Sequence, residues 1–142
     1  MRVILDANVY LSALFSPEGL CAQILRIITS DQRWTLVMTE SICAELKVCL
    51  SRPKILKSTR RSEDQLVAWL NAIVATAVLV DSAEHIRGVC RDPNDDMYLS
   101  AAVVCLPPTA IVGLNNLHGP KYRVDVDLPS AAFSDINVLV CG

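Results

Sequence analysis

Five carboxylates in this chain stand where they could act together: Asp6, Glu45, Asp92, Asp95 and Asp96. Asp6 ends the apolar run Val3-Ile4-Leu5, and Asn8 follows two places on. Such a run fits a strand buried on both faces, and in open α/β sheets ligands bind just beyond the carboxyl ends of strands. Acids gathered there without histidine or cysteine partners are hard oxygen donors that suit Mg²⁺ or Mn²⁺. Packed together unpaired they would repel one another, and a divalent cation relieves the repulsion. The chemistry this supports is attack of a metal-activated water on a phosphodiester. The plainer alternative is that Asp6 or Asn8 only caps the helix that follows.

Each remaining acid has its own placement argument. Ile42, Leu46, Cys49 and Leu50 form an apolar stripe on a helix expected over 40–50, capped by Thr39 or Ser41. Glu45 falls on the edge of that stripe, either an exposed flank or directed into a cleft. Asp92-Pro93 reads as an N-cap with proline in the first turn of a helix running to about Leu106. Its buried stripe is expected to be Leu99, Ala102, Val103 and Leu106. Projected backwards, Asp95 lies in line with that stripe and Asp96 is rotated off it. The helix dipole alone accounts for Asp92 and Asp96 more readily than for Asp95.

The elements that must carry these residues alternate strand and helix. A helix is expected over 20–29, strands over 34–38, 77–80 and 109–112, and a helix opened by the capping-box sequence Ser62-Glu63-Asp64-Gln65. The turn-rich run 113–120 follows, then an edge strand over 122–128 and a short helix near 129–133. This order predicts a single α/β domain over 1–142, with a mostly parallel sheet of four to five strands flanked by helices on both faces.

Arg52, Lys54, Lys57, Arg60 and Arg61 are five of the thirteen basic side chains. The run reads either as a solvated loop between helices or as a contact for RNA phosphates. The net charge of −2 gives no wholesale attraction to nucleic acid. Six cysteines without a CxxC pair read as free buried thiols rather than a zinc site or disulfides. No apolar run reaches membrane-spanning length and no signal peptide is evident, so a soluble, cytoplasmic protein is expected. His85 and His118 are far apart and give little support to a serine triad or a histidine metal site.

Several short motifs in order resemble the PIN-domain nucleases, in particular the VapC-type toxins of prokaryotic toxin–antitoxin systems. They are Val-Ile-Leu-Asp-Ala-Asn-Val at 3–9, Ser-Ile-Cys-Ala-Glu-Leu at 41–46, Arg-Pro-Lys-Ile at 52–55 and Arg-Asp-Pro-Asn-Asp-Asp-Met-Tyr-Leu at 91–99. Ala-Ile-Val-Gly-Leu-Asn-Asn-Leu at 110–117 and Leu-Pro-Ser-Ala-Ala-Phe at 128–133 continue the series. The resemblance implies a PIN-like fold and a metal-dependent endoribonuclease. Asp6, Glu45 and Asp95 would hold Mg²⁺ or Mn²⁺, Asn8 would steady Asp6, and Asp92 and Asp96 would stand close by. It also implies a homodimer and a small antitoxin partner. One position departs from the pattern: Asn115 stands where the family often has aspartate, which removes a negative charge and is expected to weaken metal binding. The rival reading is a degenerate PIN domain that binds RNA or a protein partner without cutting. A phosphatase-like hydrolase is a weaker third, because Asn8 replaces the second acid of an Asp-x-Asp pattern.

Overall fold

In a computed structural model of the 142-residue chain, the structure describes residues 1–81, 87–88, 93–105, 109–114 and 136–141. Strand β1 (Arg2–Leu5) is followed by helices α1 (Ala7–Phe15) and α2 (Leu20–Ser30), then by β2 (Thr35–Thr39). Helices α3 (Glu40–Leu50), α4 (Pro53–Thr59) and α5 (Glu63–Val74) lead to β3 (Val78–Val80). A 3-10 turn, Pro93–Asp95, opens α6 (Asp96–Val104), and β4 (Thr109–Leu114) and β5 (Ile136–Cys141) complete the described elements.

Among the described residues the strands form one sheet in the order β3-β2-β1-β4-β5. The first four are parallel and β5 runs antiparallel to β4. Val3, Ile4 and Leu5 are all buried, as are Leu36, Val37 and Met38. Successive strand residues point to opposite faces, so both faces of the sheet centre are covered. The predicted α/β architecture, a mostly parallel sheet flanked by helices, is therefore the observed one.

β1 lies at the centre of the sheet, and its carboxyl end carries Asp6. The Asp6 N–H donates to the Val112 carbonyl at 2.9 Å, tying that end to β4. Helix α6 packs against β1, β2, β4 and α3. Asp6 after the first strand and Glu45 of the third helix are therefore brought to one end of the sheet, with Tyr98 of the sixth helix between them.

Local signals account for most helix starts. Thr39 Oγ1 accepts from the Ile42 N–H at 3.2 Å. Ser62 and Gln65 make both bonds of the capping box, at 3.2 and 3.0 Å. Leu66 and Leu70 are fully buried.

The structure corrects five details of the sequence reading. Helix α1, absent from the predicted run of elements and implied only by the capping alternative for Asp6, begins directly after Asp6. The segment 52–61 is not a loop, since Pro53 sits in the first turn of α4, where its missing N–H costs nothing. Helix α6 starts at Asp96 with Asp95 as N-cap, three residues later than expected. Its buried face runs through Tyr98, Ala101, Ala102 and Cys105, with Leu99 only half-buried. Strand β4 extends to Leu114, and β5 covers 136–141. The strand and helix expected over 122–128 and 129–133 lie outside the described residues.

Candidate active site

The site is built around Asp6, which is 4% exposed. As N-cap of α1 its Oδ1 accepts the Asn8 N–H at 3.3 Å, while the Asn8 side chain donates from Nδ2 to Oδ2 at 3.2 Å. The capping role weighed as an alternative is thus real, and it coexists with burial at the strand end. Burial pushes the Asp6 carboxyl above the ordinary aspartate value, and the bonds from Asn8, Tyr98 and the Ala7 backbone pull it part of the way back. Every one of these partners is neutral.

Tyr98 joins this acid to the next. The Ala7 N–H donates to the Tyr98 hydroxyl at 3.0 Å, and that hydroxyl donates to Glu45 Oε2 at 2.7 Å. Burial and the Glu45 carboxylate push the Tyr98 hydroxyl far above its usual range, so it stays protonated and donates. Glu45 itself is half-buried, on the edge of the α3 stripe as its spacing suggests. Sequence reasoning missed Tyr98 as a site residue. The available signal was an aromatic hydroxyl three residues beyond Asp95 on a mostly apolar helix.

Asp95 and Asp96 exchange the burial expected of them. Asp96 is 5% exposed and accepts the Gly88 N–H on Oδ2 at 2.6 Å, whereas Asp95 is half-buried. The back-projection assumed α-helical phase through 92–95. The chain turns there as a 3-10 helix, with about three residues per turn, so the phase is lost. Asp92 and Asn115 lie outside the described residues.

Arg52, Lys54, Lys57, Arg60 and Arg61 are all exposed. The Cys49 thiol locates the start of this basic run. Burial pushes that thiol up, Glu45 and Asp6 add to the rise, and Arg52 opposes it. Arg52, Glu45 and Asp6 therefore all lie within electrostatic reach of one sulfur atom. Among the described residues no three His, Cys, Asp or Glu side chains are close enough to hold a metal ion.

The profile described as PIN domain matches residues 2–105, most of the chain. This chain belongs to the PIN-domain family. PIN domains are in general nucleases and usually use divalent metals. The chain is similar to an uncharacterized protein of Methanocaldococcus jannaschii, 30% identical over 103 residues. That alignment covers 72% of this chain and 64% of the archaeal protein, so the chain spans under two thirds of its relative's length. No solved structure matches the chain. Asp6, Glu45 and Asp95 all fall inside the matched PIN region.

Proposed function

We propose that this PIN domain is an Mg²⁺- or Mn²⁺-dependent endoribonuclease and the toxin half of a toxin–antitoxin pair. The observation that carries the reading is the chain of contacts from Asp6 through Ala7 and Tyr98 to Glu45. It brings two carboxylates from distant parts of the sequence to the carboxyl end of the central strand.

The donor set fits a hard cation. Asp6 is a buried carboxylate whose partners are all neutral, and a divalent ion would supply the missing positive charge. Asp6 and Glu45 would hold it, with Asp95 as a third ligand only after moving closer to them, and Asp96 kept for the Gly88 contact. When bound, the ion would activate water and offset charge on the phosphoryl oxygens. The chain's own groups do the positioning: Asn8 and the first N–H groups of α1 orient Asp6, and Tyr98 orients Glu45. The basic run starting at Arg52 would receive RNA phosphates beside the acids. A homodimer, an antitoxin partner and a cytoplasmic location complete the reading. No single described helix is long and apolar enough to cross a membrane.

The second reading is a PIN domain that binds RNA or a protein partner without cutting. It is favoured by one observation, that the described acids meet as a pair and not as a group of three.

Cleavage of a pool of labelled RNAs by the purified chain separates the two. The expected result is cutting with Mg²⁺ or Mn²⁺, none in EDTA, and losses of more than about a hundredfold in Asp6→Asn and Asp95→Asn. Such losses exceed the range typical of residues that only support a ligand. RNA binding without any metal-dependent cutting would overturn the nuclease reading in favour of the second.

A further inference from the structure

We infer that Tyr98 is a positioning residue whose hydroxyl fixes Glu45 in its working place beside Asp6. The inference deepens the ribonuclease reading and rests on it for the role of Glu45. A hydroxyl offers one donor and can also accept. Here the oxygen accepts from the Ala7 N–H, and the one proton is directed at Glu45 at 2.7 Å with Asp6 also within its reach. The Ala7 N–H belongs to the first turn of α1, where backbone donors have no partner within the helix. It is also the peptide that follows Asp6. The hydroxyl is thus referenced to the backbone that carries the first acid.

The ring leaves the hydroxyl little freedom. Tyr98 is 1% exposed, between Asp96 and Ser100, which are also buried. Glu45 has no comparable constraint of its own. It sits half-buried on a helix flank, and a glutamate chain loses substantial rotamer freedom when fixed. A phenylalanine at 98 would fill the same space and lack only the oxygen.

The test combines a stability cycle with metal binding and kinetics. Urea unfolding is measured in EDTA for the wild type, Tyr98→Phe, Glu45→Ala and the double variant. The midpoint shift caused by Glu45→Ala is expected to shrink in the Tyr98→Phe background; additive shifts would overturn the inference. MnCl₂ titrated by calorimetry should bind about tenfold more weakly to Tyr98→Phe, the size usual for loss of a ligand's supporting partner. With the labelled RNA pool, kcat should fall by a similar factor while KM holds. Coupled stabilities with unchanged Mn²⁺ affinity and unchanged kcat would make Tyr98 a packing strut and also overturn the inference. If the wild type neither binds Mn²⁺ nor cuts RNA, the ribonuclease reading falls separately, and the EDTA cycle still decides whether Tyr98 fixes Glu45.

Discussion

Asp6 follows a strand end, caps a helix and is the buried acid at the centre of the proposed site. Desolvation raises its carboxyl above the ordinary value, and the bonds from Asn8, Tyr98 and Ala7 offset only part of that. A carboxyl raised in the folded state binds more protons there than in the unfolded chain. Stability therefore falls as pH rises from the normal aspartate range through the folded-state value, and stays at the lower level above it. Asp6→Asn removes this burden and keeps a side chain that can cap α1. The variant should melt at a higher temperature than the wild type near pH 7, without added metal. The gain should shrink on acidification and vanish below about pH 4, where the wild-type carboxyl is protonated in both states. Calorimetric scans across pH check this; a variant less stable at pH 7 would contradict it. Asp6 was legible in the sequence because an apolar run stops on it. Tyr98 was not, because its value lies in two partners 91 and 53 residues away. No local pattern encodes such distances.

At the scale of elements, the informative cases are helices whose surroundings override simple periodicity. Helix α1 buries Ala7, Val9, Tyr10, Ala13 and Leu14 on one face, but half-buried Leu11 and exposed Phe15 on the other side blur that stripe in the sequence. Helix α6 is offset by the 3-10 turn before it, which sequence phase cannot anticipate. By contrast, Thr39 and the Ser62–Gln65 box are local devices and were readable residue by residue. Removing the box with Ser62→Ala should cost about 1 kcal/mol in urea unfolding. Arg60 ends α4 in the left-handed region, at φ 53°. That conformation strains a residue with a Cβ by about 1–2 kcal/mol, partly balanced by the extra chain entropy of glycine. Arg60→Gly should therefore stabilise the fold by roughly 0.5–1 kcal/mol. A destabilised Arg60→Gly would show that the side chain's own packing outweighs the strain.

At the scale of the whole molecule, charge is distributed against its sum. The net charge of −2 would repel RNA, yet five basic side chains lie exposed along 52–61. That run begins within reach of the same thiol that senses Asp6 and Glu45. On the ribonuclease reading, the basic run would take a phosphate backbone and present one phosphodiester to the acids. The salt dependence of binding tests this division. For single strands the logarithm of affinity falls with the logarithm of salt by about 0.7 for each phosphate neutralised. If Lys54 and Lys57 each neutralise one phosphate, Lys54→Gln with Lys57→Gln should make the slope shallower by about 1.4. Binding is measured in EDTA, so that no RNA is cut while salt is varied. Both lysines are exposed on α4, so the double variant should keep the wild-type melting temperature and the change can be assigned to contact. An unchanged slope would move the RNA path off α4 and leave the acids to receive their substrate from another side.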